Sequence, residues 1–404
     1  MKILLQKSLQ KSLQRFSYGL AGLALALCPL GSAKAQDTIK IGIIDPYSGQ
    51  FADTATQMDN AIKLYIKQHG DTVAGKKIEL IRKDVGGVAP DVAKRLAQEL
   101  VVRDHVDILA GFDLTPNALA AGAVSAEAKK FMVVMNAATS IITTKSPYMA
   151  RTSSTTPQLN QTLGTWAAKQ GIKRIYTMVS DYGPGIDAET AFHTGFKEAG
   201  GEIIGSVRFP VANPDFSAFV QRAKDLNPDA IYIWIPGGAQ PAAVGKALAE
   251  RGIDTRKIKV LGQDVLADDN VLKSLGDLAL GITTVSIYNH SHDSALNHAF
   301  VAAYQADYHR NPDIFSIGGY DGMHLIYEAL KKTGGNTDAE ALIAAAKGMK
   351  WESPRGPILI DPETRDIVQT VYIGRVQRVG GVLQNVEFDK VENVKDPVKE
   401  RMKK

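Results

Sequence analysis

From Thr38 onward the chain alternates short apolar runs, rich in β-branched residues, with longer segments of mixed polarity. The runs are IKIGIID (39–45), KIELIRKD (77–84), VDILAGF (106–112) and FMVVMN (131–136). They are followed by IKRIYTMVS (172–180), EIIGSVRF (202–209), DAIYIWIP (229–236), IKVLGQ (258–263) and GITTVSIY (281–288). Each has the length and residue types of a strand. Between them, segments such as DVAKRLAQELVVRD and ALNHAFVAAYQADYHR place apolar residues three and four apart, the spacing of a helix long enough to return a parallel crossover. Strand and helix in alternation predict an α/β fold with parallel sheets. Four strands and then five predict two open sheets, hence two Rossmann-like lobes.

The polar stretch RTSSTTPQLN (151–160), with Pro157 opening a helix, reads as the first crossing between lobes. A second crossing near Ser286 returns the helical patterns around 294–309 and 321–333 to the first lobe. After the short helix DAEALIAAAKG the pattern changes to WESPRGPILIDPETRDIVQTVYIGRVQRVGGVLQNVEF, antiparallel hairpins with turns at Asp361-Pro362 and Gly380-Gly381. The predicted division is residues 36–153 plus 287–350 in lobe 1 and 154–286 plus 351–404 in lobe 2, joined by three hinge crossings. In open α/β sheets ligands sit outside the carboxyl ends of the strands, so the residues to weigh are those that follow each run.

Composition changes the picture at one end. Lys2, Lys7, Lys11 and Arg15 lead into the apolar LAGLALALCPLG and then Ala33-Lys34-Ala35, the order of a secretory signal peptide, residues 1–35, cleaved after Ala35. A membrane span needs about twenty apolar residues, and Pro29 ends this run well short of that. Leu25-Ala26-Leu27-Cys28 begins like a lipid-attachment motif, but Leu27 stands where a small residue belongs. Removing the leader takes five basic and no acidic residues, leaving 42 basic against 43 acidic, a net charge of −1. With no sustained basic stripe, nucleic acid is not an expected partner. The sole cysteine, Cys28, leaves with the leader, so the exported chain relies on its core rather than on disulfides. The tail KDPVKERMKK reads as a short solvated run.

One motif raises a cofactor. In SDYGPGIDA (180–188), Gly183, Gly185 and Ala188 fit the G-x-G-x-x-A spacing of a dinucleotide loop between strand and helix. Pro184 removes an N–H from that loop, Asp181 puts a carboxylate where phosphate would lie, and Glu202 opens the next strand instead of ending it. The stretch reads better as a turn that presents Tyr182 at a strand end. There is no G-x-x-x-x-G-K-[ST] loop and no G-x-S-x-G elbow. The run Asn289-His290-Ser291-His292-Asp293 reads as a polar loop with Asp293 capping a helix, against the alternative of a metal site. No paired carboxylates stand out as an acid and base, so neither a catalytic nor a metal site is assigned.

The strand ends do carry small, hydroxylated and aromatic groups: Tyr47-Ser48-Gly49, Phe112 to Thr115, Asn136 to Thr139, Tyr182, Pro236-Gly237-Gly238, Gln263-Asp264, Tyr288 and Gly319-Tyr320-Asp321. Each taken singly reads as turn chemistry or capping, with Thr115-Pro116 and Thr139 as N-cap candidates. Together they read as a cleft of hydroxyls, backbone donors and rings suited to a small carboxylate with an apolar body.

In series, IGIIDPYSGQFAD, ILAGFDLTPNALA, NAATSIITTKSPYMARTSSTTPQ, VSDYGPGIDAE, NPDFSAFVQRAKDLNPDAIYIWIPGG and GYDGMHLIYEAL resemble the periplasmic substrate-binding proteins of ABC transporters, of the branched-chain amino acid (Leu/Ile/Val)-binding type. The resemblance runs from Thr38 to about Asp396. It implies a type I periplasmic binding fold whose lobes close on a ligand about three connecting strands. It also implies that a ligand carboxylate is held by two first-lobe loops, here Phe112 to Thr115 and Asn136 to Thr139. Ala138 and Thr139 match a backbone donor and a hydroxyl, Tyr182 a second-lobe tyrosine, and Asp264 the acid that receives an ammonium. The chain departs from the family with Phe112 in place of a serine, Thr54 in place of an aromatic, and no tyrosine after Gly237-Gly238. The expected ligand set is therefore Ser48, Phe112, Thr115, Asn136, Ala138, Thr139, Tyr182, Gly237, Asp264, Tyr288 and Tyr320, around an amino acid or an aromatic or other organic acid.

The expectation is an exported solute receptor, not an enzyme, monomeric and without a cofactor, that passes its ligand to an inner-membrane ABC permease. Two other classes stay open: an NAD(P)-dependent enzyme on two Rossmann-like lobes, and a ligand sensor on the same scaffold.

Overall fold

A computed structural model of the chain describes residues 37–403, the side chain of Asn270 excepted. The expected leader, Cys28 included, lies outside the described residues. The first sheet begins with β1 (Thr38–Asp45), whose carboxyl end leads into α1 (Ala52–His69). It continues through β2 (Thr72–Val73), β3 (Lys76–Asp84), α2 (Pro90–Val102), β4 (Ile108–Gly111), α3 (Thr115–Ala128), β5 (Phe131–Val134) and β6 (Met149–Arg151). Its strand order is β2-β3-β1-β4-β5-β6, parallel except for the β2–β3 pair. β2 and β6 are two strands beyond the four read from the sequence; at two and three residues they are too short for an apolar pattern to announce them.

The chain then enters the second sheet through α4 (Thr156–Lys169), β7 (Arg174–Ser180), α5 (Gly183–Glu198), β8 (Glu202–Phe209), α6 (Phe216–Asp225), β9 (Ala230–Trp234), α7 (Gln240–Glu250), β10 (Lys259–Gln263), α8 (Asp269–Leu275) and β11 (Thr283–Ser286). Next come α9 (Ala295–Tyr308), α10 (Ile314–Lys332) and α11 (Ala339–Ala346), and α9 and α10 pack on α1 of the first layer. The chain returns to the second sheet as β12 (Lys350–Ser353), β13 (Gly356–Ile360), β14 (Ile367–Val379) and β15 (Val382–Val394), and ends in α12 (Pro397–Met402). That sheet runs β12-β13-β14-β11-β10-β9-β7-β8 with β15 on β14, parallel through β11 and antiparallel beyond it.

Strand order reverses direction between β1 and β4 in one sheet and between β7 and β9 in the other. These are the switch points outside which α/β sheets bind ligands. The strands that flank them are almost wholly buried: Ile41, Ile43, Ile108 and Ala110 in the first sheet, and Met178, Ile231 and Ile233 in the second, have no exposed surface. Rigid cores therefore fix the loops at their carboxyl ends.

At the crossings the lobes are tied by buried ions. Arg151, at the end of β6, donates through Nε and Nη2 to Asp366 Oδ1 at 3.0 and 2.7 Å, and Lys399 of α12 reaches Asp366 Oδ2 at 2.5 Å. The β13–β14 turn also leans on the first lobe, where the Arg365 guanidinium donates to the Ser146 and Thr143 carbonyls at 2.6 and 2.7 Å. The C-terminal segment is thus not a solvated run throughout: Lys399 is buried because its ammonium completes this network. Three capping expectations also change. Leu114, not Thr115, occupies the cap position of α3; Thr139 caps only the 3-10 turn Ser140–Thr144, without a side-chain bond; and Ser294, not Asp293, caps α9. α4 does begin as read, with Pro157 in its first turn behind a Thr155–Gln158 capping box.

Candidate functional site

Loops from both sheets enclose one pocket. The first lobe supplies Asp113, Leu114 and Thr115 after β4 and Asn136 and Ala138 after β5. The second supplies Tyr182 and Pro184 after β7, Trp234, Ile235 and Pro236 at the end of β9, and Gln263, Asp264 and Val265 after β10. Ser154, Thr156, Leu159, Ile287, Ile314 and Phe315 complete the lining of a small cavity partly open to solvent.

The first-lobe face begins at Phe112, whose φ of 68° is the left-handed region, costly for a bulky side chain. The conformation is held from both sides, since Phe112 donates its N–H to the Ile44 carbonyl at 3.0 Å and accepts from Ala137 N at 2.9 Å. Its ring is fully buried in the first-lobe core, so Phe112 shapes the loop and is not a wall of the cleft. The reversal turns Asp113 to Thr115 toward the pocket at the start of α3. Asp113 accepts from the Thr54 hydroxyl at 2.5 Å and from Asn136 Nδ2 at 2.7 Å, and burial pushes its pKa up to about 6 against those two bonds. Asn136 is thereby a strut for Asp113 as well as a lining residue.

Three buried polar atoms of lining residues have no protein partner: Thr115 Oγ1, Thr156 Oγ1 and Trp234 Nε1. An unpaired buried polar group costs about 1–3 kcal/mol, and a cluster of them facing one cavity marks where a ligand supplies the missing bonds. Thr115 and Thr156 each open a helix, α3 and α4, whose dipole favours an anion, although a proline follows each and the amides of Asn117, Thr156 and Gln158 already donate to the Leu114, Ala138 and Thr155 oxygens. No lysine, arginine or histidine is among the lining residues, and two aspartates are. An anionic end of a ligand is therefore received by neutral donors rather than by a counter-ion.

The second-lobe face is aromatic and acidic. Tyr182 lies against Trp234 with ring centroids 5.8 Å apart, and burial together with the charge of Asp113 raises the pKa of its hydroxyl. Asp264 Oδ1 accepts from Val265 N at 3.1 Å and Oδ2 from the Ser286 hydroxyl at 2.9 Å. Enclosure between the lobes pushes Asp264 up to about 7 against the Ser286 bond, with repulsion from Asp313 and Asp268 adding to the rise. Of the two glycines of SDYGPGIDA, Gly185 has a packing role: a Cβ there would run into the Ser180 carbonyl, so its absence lets α5 approach β7.

Of the residues picked from sequence, Thr115, Asn136, Ala138, Tyr182 and Asp264 meet in this pocket. Thr139 lies just outside the lining, its hydroxyl beside the Asp187 carboxyl, whose pKa burial raises and Thr139 lowers. Gly237 and Tyr288 border a larger adjoining groove of about 2230 Å³, which shares Asp264, Val265, Ile314 and Phe315 with the pocket. The Tyr288 ring is core, its hydroxyl donating to Asn297 Oδ1 at 2.8 Å. Ser48 is exposed on the first lobe, its N–H donating to Asp84 at 3.2 Å, and lines neither space. Tyr320 lies on α10, where its hydroxyl donates to Gln68 Oε1 at 2.7 Å, away from the cleft. Trp234, Thr156 and Phe315 are among the lining residues that sequence reading does not single out. Trp234 ends a strand but sits inside an apolar run that does not set it apart, and Phe315 lies in the first turn of a helix that no strand-end rule reaches.

The histidines of the 289–293 segment go to separate carboxylates, His290 to Asp269 at 3.7 Å and His292 to Glu387 at 2.8 Å. Among the described residues no helix is long and apolar enough to cross a membrane, and no group of three or more His, Cys, Asp or Glu could hold a metal ion.

Residues 38–381 match the family model described as periplasmic binding protein. The chain belongs to the periplasmic binding protein family. It is 40% identical to the Leu/Ile/Val-binding protein homolog 6 of Brucella melitensis over 378 residues, 93% of this chain and 97% of that one. Among solved structures, a solute-binding protein of an ABC transporter from Rhodopseudomonas palustris BisB5, in complex with 3,4-dihydroxybenzoic acid, is similar with a TM-score of 0.87 and 55% identity. The match covers 90% of this chain and all of that one. A second R. palustris solute-binding protein, in complex with 4-hydroxybenzoate, is similar with a TM-score of 0.86 and 40% identity, over 90% of this chain and 99% of that one. In this periplasmic binding protein the two α/β lobes face one another across the pocket.

Proposed function

We propose that this periplasmic binding protein is the solute receptor of an ABC importer and that its ligand is a small aromatic carboxylate of the hydroxybenzoate class. The observation that carries the reading is the pocket itself: Tyr182, Trp234 and Phe315 give it flat apolar walls, and buried, unpartnered Thr115 and Thr156 hydroxyls stand at two helix N-termini. A ring fits between the walls, and a carboxylate satisfies the two unpartnered hydroxyls at the positive ends of the helix dipoles without a counter-ion. The hydroxybenzoates bound by the two similar R. palustris proteins support the same ligand class. An amino acid is the second reading, favoured by Asp264 in the cleft as an ammonium acceptor.

In this account the segments 36–153 plus 287–350 and 154–286 plus 351–404 move as two bodies about the three crossings. The closed face is offered to an inner-membrane permease by a monomer that catalyses no reaction. The leader 1–35, removed after Ala35, delivers the protein to the periplasm.

Calorimetric titration with 4-hydroxybenzoate, 3,4-dihydroxybenzoate, benzoate and leucine tests the ligand class. Saturable binding of the aromatic acids is expected; binding of leucine alone overturns the aromatic reading. Thr115→Val is the matching control. It removes a hydroxyl that has no partner in the ligand-free protein, so the melting temperature holds or rises while aromatic-acid affinity falls about tenfold.

A further inference from the structure

The second-lobe wall holds two polar groups of opposite kind whose hydrogen-bonding capacity the protein leaves unused. Trp234 Nε1 is buried and without a partner, and an indole N–H can only donate. Asp264 lines the same pocket: β9 and β10 run parallel with Ile233 opposite Gly262, which puts Trp234 level with Gln263 and Asp264 one residue beyond, at adjacent strand ends. Each Asp264 oxygen accepts one bond, from Val265 N and from Ser286, and each keeps a further lone pair. The Ser286 hydroxyl also lies 2.6 Å from the Tyr288 carbonyl, and its single proton cannot serve both acceptors. Asp264 is thus short of donors while Trp234 is short of an acceptor.

Few ligand groups answer both needs. An ammonium satisfies the carboxyl and leaves the indole N–H unpaired, because it has no lone pair. A carboxylate satisfies the indole and repels an ionised Asp264. A methyl group or an unsubstituted ring edge satisfies neither. A hydroxyl has one proton to give and lone pairs to receive. Resting on the aromatic-acid reading above, we infer that Trp234 and Asp264 form a subsite for a ring hydroxyl, with Trp234 Nε1–H donating to its oxygen and an Asp264 oxygen accepting a hydrogen bond from it. Thr115 and the first turn of α3 hold the carboxylate from the opposite lobe. The pair makes the receptor selective for hydroxylated over plain benzoates, because a site built around a hydroxyl leaves its own buried groups unpaired when the hydroxyl is missing.

The test is calorimetric titration of the wild type, Trp234→Phe and Asp264→Asn with benzoate and with 4-hydroxybenzoate. The wild type is expected to bind 4-hydroxybenzoate at least about tenfold more tightly than benzoate. Trp234→Phe alters the wall for both acids but removes the N–H that only the hydroxylated one meets, so the ratio of the two affinities should fall roughly tenfold. Asp264→Asn should lower the same selectivity, and measurable benzoate binding in each variant reports a folded pocket. Equal wild-type affinity for the two acids, or equal loss of both in Trp234→Phe, overturns the subsite while leaving the aromatic-acid reading standing. Failure to bind either acid overturns both. Wild-type selectivity decides the matter even where a variant does not fold.

Discussion

At the scale of single residues, the cleft is unusual for what its polar atoms lack. Thr115, Thr156 and Trp234 keep buried donors unpaired, and Asp113 and Asp264 sit where their charged forms are disfavoured. These two aspartates set a pH dependence whose sign can be worked out. Their folded-state values, raised to about 6 and about 7, exceed the ordinary 3.8, so the folded protein keeps protons that the unfolded chain has released. Their contribution to stability is fully present below about pH 4 and is lost as pH rises through about 7. With its lobes closed as described, the protein should therefore lose melting temperature between about pH 5 and about pH 8 by more than Asp264→Asn does. Parallel melting curves across that range check it, and identical slopes for the two proteins would contradict it. Sequence reading reaches Thr115, Asn136, Tyr182 and Asp264 because the strand-end rule points at them. It passes over Trp234 because DAIYIWIP is an unbroken apolar run, in which a cleft tryptophan and a core tryptophan look alike. It overvalues Ser48, Phe112 and Tyr320 for the complementary reason. Position after a strand or on an inward helix does not say which way a side chain turns, and the left-handed φ of Phe112 sends its ring into the core.

At the scale of elements, the alternation of apolar runs and helical spacing is legible because each central strand is covered on both faces and must be apolar throughout. What the pattern does not reveal is how the β13–β14 turn and α12 lock onto the first lobe. That contact depends on Asp366 meeting Arg151 from 215 residues away. Arg151 and Asp366 are essentially unexposed, and Lys399 is nearly so. Removing one member of such a cluster leaves uncompensated charge in the interior, so Asp366→Ala should cost about 3–5 kcal/mol in denaturant unfolding. A loss below about 1 kcal/mol would mean that the cluster is solvated in solution. A second buried pair, Arg355 with Asp321 at 2.7 Å, together with the Arg355 bond to the Thr152 carbonyl, places another fixed point at the same crossing. The hinge region is therefore stiff at its anchors, and bending falls to the short segments between them.

For the whole molecule, the decisive contact is where the lobes meet. Gly238, on the loop between β9 and α7, has a φ of 66°, and a Cβ there would stand 2.5 Å from the Gln50 carbonyl and 3.1 Å from Phe51 of the first lobe. The described arrangement is thus a closed one whose fit depends on the missing side chain. Gly238→Ala should leave each lobe folded but hold the lobes apart. Ligand affinity should fall, and the contraction seen by small-angle scattering on adding 4-hydroxybenzoate should shrink or vanish. An unchanged contraction would show that closure does not bring Gly238 against Gln50. Closure also links ligand to stability: binding to the folded form alone adds about 2.7 kcal/mol at a ligand concentration a hundredfold above Kd. The most direct test of the account is calorimetric titration of the protein with 4-hydroxybenzoate near neutral pH. The account predicts saturable binding of one ligand per chain. No binding of 4-hydroxybenzoate at millimolar concentration, with leucine binding under the same conditions, would contradict it.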